Sequence, residues 1–402
     1  MKKMLNYTTR KTCRLCGSKK MDSILSLGNL YVSTFVKSKK DKVFKAPLEL
    51  VLCDNCQLLQ LKHTAPQELL YSKYYWYYSG LNPVITSDLK EITQVAQKMA
   101  KPKKGDIVLD IGANDGTMLK FYPKNLTRVG CEPANNLIKA LKSVTPYVIH
   151  DFWTKETFRK MFGNKKAKII TAIGMFYDME DPNQFIKDAA EVLDEKGIFI
   201  AQLMCLRPML LKNDLGNICH EHLEYYSYDS LKFLFEKNGL EIFKIEENSI
   251  NGGSYRIFAR LYKSGSIKYK EGLSKKDYQA FFRRIENNKK KCVDFIKRET
   301  KKGKKVYAYG ASTKGNTILQ YYGLNNKLIA GAADKSPEKW GKYTVGTMIP
   351  VVKEEEARKK ADYFLVLPWA FFDTFYKREK EWLKKGGKFI IPLPNFKVVG
   401  KK

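Results

Sequence analysis

No apolar run in this chain of 402 residues approaches the ~20 residues needed to cross a bilayer. A membrane-spanning helix is therefore not expected. The opening, "MKKMLNYTTRKTC", lacks the apolar stretch of a signal peptide before its first cysteine, so a soluble, cytoplasmic protein is expected. Acidic residues are few beside basic ones, 42 against 73, which leaves a formal charge of +31. The excess is spread over "KSKKDK" at 37–42, "KPKK" at 101–104, "NNKKK" at 287–291 and "KRETKKGKK" at 297–305. The basic charge leaves a polyanion partner open, but there is no RGG tract and no basic stripe interleaved with aromatics, which speaks against nucleic acid. It suits a small anionic substrate such as a nucleotide diphosphate. Histidine is scarce as well, with four in the chain. Two of them, His220 and His222, flank Glu221 in "GNICHEHLEYYS", residues 216–227.

What is present is enough for two or three domains with substantial cores: 44% of residues are hydrophobic and 13% aromatic. Eight cysteines divide into two kinds. Cys131, Cys205, Cys219 and Cys292 are isolated, whereas Cys13, Cys16, Cys53 and Cys56 form two CxxC pairs in the contexts "CRLCGS" and "CDNCQ". A CxxC turn brings two thiolates to one side, and two such turns complete a closed tetrahedral shell suited to structural zinc. A zinc-binding domain over residues 1–70 follows. Next, "ELLYSKYYWYYSGLNP" (68–83) crowds five tyrosines and a tryptophan between Tyr71 and Tyr78. This segment reads either as an aromatic plug between domains or as a substrate-facing wall offering hydroxyls, from Tyr75, Tyr77 and Ser79.

Apolar spacing predicts a helix over 88–100, then strand, glycine turn and helix in "GDIVLDIGANDGTMLKFY". Short apolar strands follow at 127–132, 147–151, 167–176 and 196–204. Strands alternating with helices indicate a parallel α/β domain, placed at 71–248. A second α/β domain is expected over 249–402. It would open with the strand "GGSYRIFARLY", continue through a long charged helix at 275–300, and include the strand–turn–helix "KKVYAYGASTKGNTILQYY". In that turn Ser312, Lys314 and Asn316 stand where a helix begins, a place suited to an anionic ligand. The GxxxxGK[ST] pattern of nucleotide hydrolysis is absent.

The first glycine turn, Asp110 to Gly116, has the spacing DxGxxxG rather than GxGxxG. Gly112 lets the backbone pass close beneath a ligand, and Gly116 permits close helix approach. Glu132 ends the next strand, at the distance from which an acid accepts ribose hydroxyls. This combination resembles the class I S-adenosylmethionine-dependent methyltransferases. On that resemblance Asp110, Gly112 and Asn114 would cradle the methionine part, Glu132 the ribose, and Asp151 would lie near the adenine.

The HEH spacing is not the HExxH of a zinc protease. On a helix the two histidines would diverge by about 200°, and neither helix nor strand gathers three ligands from this segment. A general base oriented by a carboxylate fits better than a catalytic metal; two capping or solvent histidines are the bland alternative.

The order of the CxxC pairs, "YWYYSG", "LDIGANDGTML", "CEP", "NICHEHLEYYS", "NGGSYRIFA", "YGASTKGNT" and "DKSPEKWGKYTVGTMIPV" resembles the nucleotide-sugar C-methyltransferases over nearly the whole chain. The resemblance implies an N-terminal zinc domain, a central S-adenosylmethionine-binding Rossmann-like fold and a C-terminal Rossmann-like domain that helps bind the nucleotide sugar. It implies that His222, with Glu221 beside it, abstracts the proton alpha to a 4-keto group, that Tyr77 supports the enolate, and that Arg256 of "GGSYR" contacts sugar or phosphate. Cys219 stands where tyrosine is common, so Tyr77 or Tyr225 would take that part, or the substrate differs. An RNA-directed zinc-ribbon methyltransferase and a non-catalytic nucleotide-sugar-binding module are the alternatives. A monomer or small homo-oligomer is expected.

Overall fold

The structure is a computed structural model that describes residues 6–72 and 75–401. Tyr74 of the aromatic segment lies outside the described residues.

Three sheets carry the chain. The central one has seven strands in the order Leu240–Asn248, Ser254–Leu261, Leu193–Met204, Ala167–Ile173, Ile107–Ile111, Thr127–Cys131 and Tyr147–Ile149. The five strands from Leu193–Met204 to Tyr147–Ile149 pair in parallel, while Ser254–Leu261 is antiparallel to both neighbours. Ile107–Ile111 is buried along its whole length, as a strand covered on both faces must be. Phe176, Phe199, Tyr226 and Phe235 pack on one face, and Ile92, Met118, Leu141 and Phe258 on the other.

Ser254–Leu261, expected to open the C-terminal domain, is therefore part of the central sheet, with Arg256 opposite Gln202. Six of its eight residues are buried, but its alternation of Tyr255, Ile257 and Ala259 with Ser254, Arg256 and Phe258 does not say which sheet it joins. Two further differences have local causes. The helix expected from 88 begins at Pro83 and runs to Ala100, because Asn82 caps it by accepting from the Val84 amide and Pro83 occupies the first turn. The helix expected after Gly116 is a single 3-10 turn, Leu119–Phe121. The Asp115 carboxylate takes the Thr117 amide and hydroxyl, and Pro123 stands two residues beyond the turn.

The C-terminal sheet has the order Val351–Lys353, Gly331–Asp334, Val306–Tyr309, Tyr363–Val366, Lys388–Ile391 and Lys397–Val399, parallel except for its last hairpin. The helix Lys275–Lys301 lays Tyr278, Phe281, Ile285, Cys292 and Ile296 against it. The chain thus has the expected α/β class: a four-cysteine N-terminal domain and two Rossmann-like sheets. Among the described residues no helix is long and apolar enough to cross a membrane.

The N-terminal sheet is antiparallel: Glu224–Tyr225, Leu59–Leu61, Lys45–Cys53 and Met21–Tyr31. Its first strand comes from the histidine segment, with Glu224 opposite Gln60 and Tyr225 opposite Leu59. The segment that carries His222 is thereby welded to the cysteine domain.

Candidate active site

The four cysteine sulfurs of Cys13, Cys16, Cys53 and Cys56 lie within 4.8 Å of one another. Cys13 and Cys56 are 3.5 Å apart, as are Cys16 and Cys53. A tetrahedral shell with 2.3 Å zinc–sulfur bonds places its sulfurs about 3.8 Å apart, so the donor set fits zinc. Four thiolates close the shell and leave no position for substrate.

A cavity of about 340 Å³ opens at the C-terminal ends of the central strands. Gly112, Asn114, Glu132, Phe152, Trp153 and Met175 lie on its wall. At Gly112 the backbone has φ +74°, and a Cβ there would stand 2.7 Å from Met175 Cγ. The site thus requires glycine twice over. The Glu132 carboxylate accepts the amide of Asn114 at one oxygen and that of Ala134 at the other, both at 2.9 Å. Burial raises its pKa, and each oxygen keeps a lone pair for a ligand hydroxyl. A glycine floor, a fixed acid and an aromatic wall fit S-adenosylmethionine.

The aromatic segment roofs this cavity. Asn114, at φ 52°, accepts the Ser79 amide at 3.0 Å and donates to the Tyr77 carbonyl at 3.1 Å. Asn136 accepts the Tyr75 amide at 2.9 Å and donates to the Tyr75 carbonyl at 3.0 Å. The segment is thus a wall held by two asparagines, with Tyr75, Tyr77 and Ser79 lining the cavity while the Tyr71 hydroxyl donates to the Glu221 carbonyl and the Tyr78 hydroxyl accepts from Asn136.

A second cavity, about 140 Å³, shares Tyr75, Tyr77, Ser79, Ile173 and Gly174 with the first and adds His222, Tyr177 and Lys314. His222 sits in a turn, neither helix nor strand, with its amide bonded to the Cys219 carbonyl. Its Nδ1 lies 2.7 Å from the Asn217 carbonyl, and the Tyr177 ring meets it edge-on at 4.6 Å. Burial, then the Lys314 charge, push its pKa down to about 3, so the ring is neutral at pH 7. His220 turns the other way: its Nε2 lies 2.9 Å from the Ala46 carbonyl in the cysteine domain. It is a structural anchor.

Lys314 reaches Met204 Sδ at 2.7 Å. No carboxylate lies within ion-pair distance of it among the described residues, and burial lowers its pKa. A third cavity, about 160 Å³, contains Glu221, Trp76, Lys42, Thr313 and again Tyr75. Tyr75 therefore borders all three spaces. Glu221 opens on this third space, its Oε2 without a partner and its pKa raised by burial.

Several expected residues are placed elsewhere. Glu221 does not orient His222; the Asn217 carbonyl does. Asp110 is absent from the cavity wall, because its carboxylate is held by the Thr171 hydroxyl at 2.7 Å, with burial raising its pKa to about 7. Gly116 instead serves packing, where a Cβ would press on Val144 and Leu141. Asp151 is exposed and accepts the Phe152 amide at 2.8 Å, and it is absent from the cavity wall, on which Phe152 and Trp153 lie. Arg256 has its donors engaged by Asp88 at 2.8 Å, Gln202 at 2.9 Å and Glu91 at 3.1 Å. Tyr225 is a core side chain that bonds the Asn217 carbonyl at 3.4 Å. Ser312 caps its helix by accepting the Gly315 amide. Asn316 is buried with an unpartnered amide and lines none of the three cavities. Of the expected anion trio, Lys314 alone reaches ligand space. Asn217, Tyr177 and Asn136 escaped the sequence reading, since nothing local marks them.

Comparison with known proteins finds three family models along the chain. The family model of a zinc binding domain matches residues 13–71, that of a methyltransferase domain 87–245, and that of a C-methyltransferase C-terminal domain 249–394. The chain is 26% identical over 405 residues to C-methyltransferase NovU of Streptomyces niveus, covering 96% of each. Solved structures similar to the central part include an S-adenosylmethionine-dependent methyltransferase from Clostridium acetobutylicum (11% identity, 44% of this chain and 92% of that one, TM-score 0.37). Another is magnesium protoporphyrin IX methyltransferase from Synechocystis (11%, 44% and 82%, TM-score 0.34). A zinc-binding domain, a methyltransferase domain and a C-methyltransferase C-terminal domain thus follow one another along the chain, which is an S-adenosylmethionine-dependent methyltransferase similar over nearly its whole length to a C-methyltransferase.

Proposed function

We propose that the methyl acceptor is a nucleotide-linked 4-keto-deoxysugar and that His222 is the general base. The observation that carries this reading is the state of His222. Its Nδ1 faces a carbonyl and must carry the proton, so the Nε2 lone pair is left in a cavity that shares a wall with the cofactor cavity. S-adenosylmethionine supplies an electrophilic methyl group when bound. His222 Nε2 takes the proton from the carbon next to the ketone, and that C–H electron pair moves into the enolate. The Tyr77 hydroxyl and the Lys314 ammonium border the same cavity and stabilise the negative oxygen or an adjoining phosphate. The new carbon–carbon bond would form from the enolate carbon as the methyl–sulfur bond breaks and its electron pair stays with the departing S-adenosylhomocysteine, and the proton rests on the imidazole until solvent removes it. Tyr75 and Ser79 close the wall and exclude water. The third cavity, with Trp76 and Lys42, gives space for the rest of the nucleotide.

The test is mass spectrometry of the reaction with S-adenosylmethionine and a panel of nucleotide-linked 4-keto-6-deoxysugars in deuterated water. A product heavier by one methyl, with deuterium exchanged at the carbon next to the ketone, is expected. Transfer without exchange would assign an oxygen or nitrogen acceptor. Cofactor binding without transfer to any member would remove the keto-sugar reading.

A further inference from the structure

The residue between the first two zinc cysteines has more contacts than a knuckle needs. Arg14 lies within Cys13–Arg14–Leu15–Cys16, and its side chain is fully buried. The knuckle backbone is fixed by Cys13 N–H donating to Ser18 O at 2.9 Å and Gly17 N–H donating to Cys13 O at 3.0 Å. From this base the side chain meets five partners, among them Gln60 at 3.2 Å and Thr64 at 2.6 Å within its own domain. It donates to Leu61 O at 2.6 Å within its own domain. It donates to Glu180 at 3.2 Å, a residue on the wall of the cofactor cavity. Its Nε stands 3.5 Å from the carboxylate of Glu224, also fully buried, two residues beyond His222.

The two acids belong to segments already joined to each other. The amides of Leu223 and Glu224 both donate to the Tyr177 carbonyl, at 2.8 and 3.1 Å, and the Tyr177 ring contacts His222. Arg14 therefore clamps both sides of the junction in which His222 sits. A guanidinium holds its donors in one plane, so replacing Arg14 alters the surroundings of Glu180 and of Glu224, whose carboxyl is pushed up by burial and has no hydrogen bond of its own among the described residues.

We infer that Arg14 is a positioning residue through which the zinc site sets the placement of His222. The inference rests on His222 being the base, but its main readout needs no acceptor. The chain has four histidines, so their ring nitrogens can be resolved in nitrogen-edited NMR spectra, with His222→Asn assigning the signal. In Arg14→Lys, with bound zinc measured at one equivalent, the His222 ring signal should leave its Nδ1–H tautomer pattern while that of exposed His150 stays. The affinity for S-adenosylhomocysteine should remain within about twofold. With an accepted keto sugar, kcat should fall about 10- to 100-fold at unchanged KM, as for a misplaced catalytic group. Glu224→Gln, distant from the cysteines in sequence, should move the same signal and decides the matter if Arg14→Lys fails to hold zinc. Unchanged His222 signals in the folded variants overturn the inference. Failure of the sugar panel with a shifted His222 signal would instead count against the acceptor assignment alone.

Discussion

His222 Nδ1 stands 2.7 Å from the carbonyl oxygen of Asn217. A carbonyl oxygen can only accept a hydrogen bond, so the contact fixes the tautomer and turns the free lone pair toward the reacting space. Replacement by asparagine keeps a polar group of smaller reach and removes the base. His222→Asn is expected to lower methyl transfer by about 10²- to 10⁴-fold, the usual worth of a general base. S-adenosylhomocysteine affinity should change less than about twofold by calorimetry. Near-normal turnover would assign the proton abstraction elsewhere.

Acid should act through the same residue. The His222 pKa falls from 6.5 to about 3 on folding. Between those values the unfolded chain binds a proton that the folded chain refuses, so this contribution to stability is present above pH 6.5 and lost as pH falls. From pH 7.5 to pH 5 the loss amounts to about 2 kcal/mol. Buried acids with raised pKa values, Asp110 among them, act in the opposite direction, so the total slope does not isolate it. Denaturant unfolding of the wild type and His222→Asn at both pH values does. The wild type should lose about 2 kcal/mol more than the variant; equal losses would show that His222 titrates normally in the folded protein.

Gly112 has no room for a side chain. Alanine there meets Met175 at 2.7 Å and must adopt φ +74°. Gly112→Ala should weaken S-adenosylhomocysteine binding by about 10-fold or more, each 1.4 kcal/mol of strain or clash counting tenfold, while zinc content stays at one equivalent. Binding at the wild-type level would show that Met175 yields at no cost.

Arg256 distinguishes a structural cation from a substrate contact. Its guanidinium pairs with Asp88, whose side chain is also nearly inaccessible. Arg256→Met should lower stability by about 3–5 kcal/mol, the usual result of stranding one member of a buried pair. A stable variant with a raised acceptor KM would return Arg256 to the ligand.

The order of the domains, the zinc ligands and the cofactor turn were legible because each is a local device. Two thiolates three positions apart, a glycine forced to positive φ and an acid at a strand end act through their own stretch of backbone. The helices at 275–300 and 313–322 were legible from periodicity and a serine cap. Lys314 and Asn316 look equivalent in the sequence, two positions apart on one helix. Yet the first faces the cavity and the second is buried without a partner.

By itself the sequence determined a zinc domain, a methyltransferase fold and a second α/β domain, because apolar period, glycine spacing and thiolate pairs are encoded within a few residues. Only the tertiary structure decided which histidine enters the reacting space and which becomes an anchor. His220 and His222 have the same chemistry and differ in what lies opposite: Ala46 of the zinc domain for one, Asn217 and an open cavity for the other. That choice depends on contacts between segments distant in sequence, where burial and hydrogen-bond partners arise only once the sheets have closed.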